Sequence, residues 1–147
     1  MSSLNKKAKE VVEKYDVSAC TDVTGFGLLG HGAEMATASQ VCLNLDVRKI
    51  PYFEDAKEYA KMGLIPAGAY KNRGHSGRYV DVGDTPEYYV DLLYDPQTSG
   101  GLLISVAPEQ ADAVMEDFEK KGLDTKVAMI GEVLEKDQED NTFIRLV

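Results

Sequence analysis

Asp22 stands just ahead of a run rich in glycine, "ACTDVTGFGLLGHGAEMA" over residues 19–36. A carboxylate in that position can hold a metal ion or cap the turn that follows. Glycine lets the backbone approach another group closely or take positive φ. A second run, "DPQTSGGLLISV" over residues 95–106, sets the hydroxyls of Thr98 and Ser99 and the bare backbone of Gly100 and Gly101 ahead of an apolar stretch. Successive N–H groups in such turns form anion-binding concavities. A Ser-Gly-Gly turn before a strand is more often a plain chain reversal.

Neither run is a P-loop, since no GxxxxGK[ST] occurs. "GFGLLG" matches GxGxxG at Gly25, Gly27 and Gly30, and Asp46 follows Gly25 by 21 residues (46 − 25). A dinucleotide site of that kind would place the Asp22 carboxylate close to the pyrophosphate and repel it. A divalent cation between them turns the repulsion into attraction. The metal reading of Asp22 is therefore preferred, with Thr24, Gly25 and Gly27 beside it as ligand-facing backbone and hydroxyl. No residue reads as catalytic. Cys20 has no His or Lys beside it to lower its pKa and reads as a small buried residue. His31 reads as packing or as a phosphate contact, and His75 as solvated. Lys71, Asn72 and Arg73 could meet phosphate or another domain, or be solvated. Tyr88, Tyr89 and Tyr94 read as core or interface.

These residues need a scaffold, and composition bounds it. The chain has 147 residues, 44% of them hydrophobic, enough for one domain with a real core. Domains of about this size bury roughly 68–70% of the surface of the unfolded chain. The net charge of −9, from 25 acids against 16 bases, argues against a nucleic-acid partner, which needs clustered bases. No stretch approaches the ~20 apolar residues of a membrane span. The opening "MSSLNKKAKEVVEKYDV" has no apolar signal core, so a cytoplasmic, soluble chain without a membrane partner is expected. Two isolated cysteines, Cys20 and Cys42, make neither a disulfide framework nor a zinc site.

Leu4, Ala8, Val11, Val12 and Tyr15 predict an amphipathic helix over 3–15. "SACTDVTG" reads as a short strand or extended loop. A second helix is expected over 26–39, although Gly30 and Gly32 cost about 1 kcal/mol each relative to alanine; something must pack tightly against that face. "VCLNLDV" alternates as a half-buried strand. Pro51 opens a helix through Lys61, and "GLIPAGAYKNRGHSGRY" reads as a long loop. Thr85 caps a helix beginning at Pro86. "LLISV" is a strand, "APEQADAVMEDFEKKG" a helix stopped by Gly122, and "VAMIGEVLE" and "TFIRLV" are strands with "KDQEDN" as their turn. The class is α+β or a two-layer sandwich.

"TDVTGFGLLGH" and "DPQTSGG", joined by the "IPAGAYKNRG" loop, resemble the C-terminal half of selenophosphate synthetase (selenide, water dikinase), within the wider aminoimidazole ribonucleotide synthetase family. The likeness runs from about Asp16 to the end. It implies a three-layer α/β/α sandwich, with residues 1–15 as the helix linking two halves and 16–147 as the C-terminal domain. The complete family enzyme converts ATP, selenide and water into selenophosphate, AMP and phosphate. Its TDVTGFG aspartate, here Asp22, helps hold Mg²⁺ against the ATP phosphates. The remaining metal-binding aspartates and the reactive cysteine or selenocysteine belong to an N-terminal half that this sequence lacks. The resemblance further implies a homodimer, an inactive isolated chain, and an exposed apolar face that promotes association. The competing reading is a non-catalytic nucleotide- or protein-binding domain of the same fold.

Overall fold

The computed structural model describes residues 5–147, so Ser3 and Leu4, the expected start of the first helix, lie outside the described residues. Among the described residues six α-helices and six strands follow in the order α1 (Lys6–Val12), β1 (Val17–Asp22), α2 (Gly27–Ser39), β2 (Val41–Leu45), α3 (Glu54–Lys61), α4 (Ala67–Ser76), β3 (Val80–Asp81), α5 (Glu87–Leu93), β4 (Leu102–Val106), α6 (Pro108–Lys121), β5 (Gly131–Glu135) and β6 (Ile144–Leu146), with a short 3-10 turn at Gly77–Tyr79 between α4 and β3. The fold is α+β, as expected.

The strands form two sheets. β1 and β4 pair antiparallel, with Asp22 opposite Leu102 and Cys20 opposite Ile104. The other sheet has the order β3-β6-β2-β5, in which β2 runs antiparallel to β5 and parallel to β6. Helix α2 packs on both sheets. Its Leu29, Ala33 and Ala36 are buried in one cluster with Leu43, Leu45, Leu103, Ile144 and Leu146. A Cβ on Gly32 would lie 3.3 Å from Ile144 and 3.6 Å from Leu43, so the small residue sets how close α2 sits to the sheet. The close packing expected at the α2 glycines is present.

A smaller core of Val11, Val114 and Phe118 joins α1 to α6 and takes in Ile104 and Val106 of β4. Leu103 points the other way, into the main core. The β1–β4 ribbon thus has helices on both faces. Helix α6 is built as the sequence indicates, with proline in its first turn and Gly122 ending it at φ +63°.

Several local expectations are corrected. The stretch expected as a long loop contains α4, because its buried face is Ala69, Asn72 and Ser76. Two of those residues are polar, so no apolar period marks the helix. Helix α3 starts at Glu54 rather than Pro51, and α5 starts at Glu87 with Pro86, not Thr85, in the cap position. "KDQEDN" is not a hairpin turn, since β5 and β6 lie on opposite sides of β2 and the segment crosses it. Cys20 is exposed rather than buried, because β1 alternates and turns Ser18, Cys20 and Asp22 outward together.

Candidate functional site

The two glycine-rich runs, far apart in sequence, lie edge to edge. Beyond the end of the β1–β4 ladder the pairing continues through loop backbone. Val23 N–H donates to Gly101 C=O at 3.0 Å, and Gly100 N–H donates to Val23 C=O at 3.0 Å. Gln97 N–H donates to Thr24 C=O at 2.9 Å. The turn of "TDVTGFG" closes on itself where Gly27 N–H donates to Thr24 C=O at 3.1 Å. Asp22, Thr24, Gly25 and Gly27 are thereby brought beside Thr98, Ser99, Gly100 and Gly101 at one end of the ribbon.

The glycines in these runs are not equivalent. Gly27 has φ +72°, and a Cβ there would fall 2.7 Å from the Tyr94 carbonyl carbon. A Cβ on Gly100 would meet the Val23 oxygen at 2.8 Å. Those two are required by packing. Gly101 has φ +93°, a region L side chains rarely adopt. Gly25 has neither constraint, because nothing lies within 4 Å of its would-be Cβ. Its bare backbone is exposed, beside the exposed Asp22.

The turn is fastened from two sides. Asn72, buried on α4, donates through Nδ2 to Gly25 C=O at 2.8 Å and to Tyr94 C=O at 3.0 Å. Ser76 Oγ then donates to the Asn72 carbonyl at 3.1 Å. His31, in the second turn of α2, lies with Nε2 2.9 Å from Thr24 Oγ1. Neither role was legible beforehand, because nothing in the spacing of Asn72 or His31 points to a partner.

Among the other sequence candidates, Arg73 is engaged by Glu87 and by Asp91 at 3.4 Å rather than left for phosphate. Lys71 is exposed. His75 is exposed and stacks on Phe26 with ring centroids 6.4 Å apart. Tyr94 is core, and Tyr89 bonds the Tyr52 hydroxyl at 2.9 Å on the α3–α5 side. Desolvation, and then the Asp22 carboxylate, raise the pKa of the Cys20 thiol, the opposite of what a nucleophile needs.

Among the described residues no cluster of three or more His, Cys, Asp and Glu could cage a metal. A single carboxylate such as Asp22 is a ligand that Mg²⁺ can take when it is held with a nucleotide. This ion keeps much of its water and takes one or two carboxylates plus substrate phosphates rather than an all-protein cage. Asp22 can supply one such carboxylate.

This is an α+β domain in which a pair of glycine turns is joined at the end of a two-stranded ribbon. The chain belongs to the AIR synthase related protein family, matching the model of its C-terminal domain over residues 2–142. Selenide, water dikinase of Caldanaerobacter subterraneus subsp. tengcongensis is 46% identical over 99% of this chain and 42% of that protein. The protein of the same name from Clostridioides difficile is 48% identical over 92% of this chain and 39% of that protein. The chain thus spans about two fifths of the length of these relatives. The solved structure of T. maritima PurL complexed with FGAR is similar with a TM-score of 0.53 at 16% identity, covering 88% of this chain and 16% of that one. That likeness concerns the fold alone. No helix among the described residues is long and apolar enough to cross a membrane.

Proposed function

We propose that this chain is the C-terminal portion of a selenide, water dikinase, and that it supplies Asp22 to a Mg²⁺–ATP site completed by the rest of the protein. The observation that carries the reading is the junction of the two glycine runs, which sets one exposed carboxylate beside exposed, unobstructed backbone at Gly25. The reaction implied is ATP, selenide and water to selenophosphate, AMP and phosphate. When bound, Mg²⁺ supplies positive charge against the phosphates and orients them for transfer.

The chain's own residues do the following. Asp22 donates a carboxylate oxygen to the cation. The Gly25 and Gly101 amides and the Thr98 hydroxyl present donors to phosphate oxygens, while the Phe26, Gly27 and Gly100 amides are bonded within the two turns and hold their shape. Gly25 admits the ligand without a Cβ in the way. The chain alone is inactive in this reading, since it offers the cation a single carboxylate. The complete enzyme is a homodimer. Phe53, Tyr59, Met62 and Leu64, exposed on and around α3, are apolar surface available for burial by other parts of that assembly.

The test mixes this chain with a separately expressed remainder of the protein and follows selenide-dependent AMP formation from ATP and Mg²⁺. Activity only in the mixture, and its loss with Asp22→Asn at unchanged thermal stability, is the expected result. A stable complex without activity would instead favour a non-catalytic nucleotide- or protein-binding domain.

A further inference from the structure

His31 is held by three contacts, two at Nε2 and one at Nδ1. Nε2 lies 2.9 Å from Thr24 Oγ1 and accepts the Phe26 amide N–H at 3.4 Å, while Nδ1 lies 3.1 Å from Glu34 Oε2. An amide N–H can only donate and an ionised carboxylate can only accept. The ring therefore carries its proton on Nδ1, directed at Glu34, and offers the Nε2 lone pair to the turn. The Thr24 hydroxyl must then donate to Nε2, which fixes its rotor and leaves its oxygen as an acceptor. The Phe26 ring lies tilted beside the imidazole at a centroid distance of 5.3 Å, and the His31 side chain is only 11% exposed.

From this geometry we infer that His31 is the positioning residue of the 22–27 turn. Through Nε2 it pins Thr24 and the Phe26 amide, and so orients the backbone that follows Asp22 to receive the cation and its nucleotide. Glu34 selects the tautomer, as carboxylates do for histidines behind metal sites. The inference rests on the proposed Mg²⁺–ATP reading of this turn, and it adds a residue that need not touch either ligand. A merely structural histidine would be replaceable by any side chain that kept α2 folded. A positioning histidine needs an acceptor at the Nε2 location, which glutamine can present and leucine cannot.

Two measurements test it. In this chain, ¹⁵N imidazole shifts should show Nδ1 protonated and Nε2 unprotonated at neutral pH; the opposite tautomer would overturn the inference without any activity assay. In the full-length protein, His31→Leu should raise the Mg²⁺ concentration needed for half-maximal activity about 10-fold or more, the usual scale for a residue behind a metal ligand. Saturating Mg²⁺ should recover most of kcat, and His31→Gln should restore the wild-type requirement. Thr24→Val, near-isosteric and lacking only the hydroxyl, should shift the Mg²⁺ requirement in the same direction and serves if the leucine variant does not fold. Unchanged Mg²⁺ dependence in His31→Leu, or in Thr24→Val where the leucine variant does not fold, with Asp22→Asn inactive, overturns the role of His31 alone. Full activity in Asp22→Asn overturns the metal reading beneath it.

Discussion

The Thr24 carbonyl accepts the Gln97 amide at 2.9 Å, and through that bond two turns from distant parts of the chain share one stretch of backbone. Each turn alone is an ordinary reversal. Joined, and continued by the Val23 pairing with Gly100 and Gly101, they form a single rigid edge at the end of β1 and β4. The position of Asp22 therefore depends on the second run as much as on its own.

This dependence separates the glycines experimentally. Gly100→Ala would push a methyl carbon to 2.8 Å from the Val23 oxygen, and Gly27→Ala would meet Tyr94 backbone at positive φ. Each should destabilise the chain by about 1–3 kcal/mol or more, as overpacking and strain do. Gly25→Ala should leave stability within about 0.5 kcal/mol of wild type, as a substitution away from any packing or backbone constraint does. It should nevertheless weaken reconstituted activity. Urea unfolding of the variants checks the first part; a large loss for Gly25→Ala would mean that its openness is not what preserves the glycine.

Asn72 connects α4 to both the 22–27 turn and the end of α5. Asn72→Ala would leave the Gly25 and Tyr94 carbonyls without that donor; water can reach the Gly25 oxygen, and the buried Tyr94 oxygen carries the cost of about 1–3 kcal/mol for an unsatisfied group. For a domain of this size that corresponds to a fall in Tm of roughly 2–4 °C per kcal/mol. Thermal unfolding followed by circular dichroism measures it. A Tm within a degree or so of wild type would show that water replaces the amide at no cost.

How much of this was visible in the sequence divides along physical lines. Helix α6 and strand β2 were legible because apolar residues recur at the right period and caps mark the ends. Helix α4 was not, since Asn72 and Ser76 occupy its buried face and their burial is satisfied by hydrogen bonds that no hydropathy pattern records. The crossing of β2 by the 136–143 segment was likewise hidden, because alternation identifies a strand and not its neighbour. Asp22 and the glycine runs stood out by type and spacing. The fastening of Thr24 by His31 did not, since it depends on where α2 begins.

Stability should also depend on pH in a direction fixed by burial. Desolvation raises the Asp95 carboxyl above the usual range, opposed by its hydrogen bond from Gln97 Nε2 at 2.7 Å. Asp91 is raised for the same first reason, with Arg73 opposing and Glu87 adding to the rise. A carboxyl whose folded pKa is raised holds its proton more tightly in the folded state than in the unfolded one. Its stabilising contribution is therefore full at low pH and is lost as pH climbs from the ordinary aspartate value through the raised one. Asp95→Asn keeps an oxygen that can accept from Gln97 and removes the charge. Other carboxylates, such as Asp46 beside Arg48 and Asp140 beside Thr142, are lowered and move the total the other way. The informative quantity is therefore the difference between wild type and variant in urea unfolding across that pH window. The variant should gain on wild type as pH rises; a constant difference would mean that Asp95 ionises in the folded chain as freely as in the unfolded one.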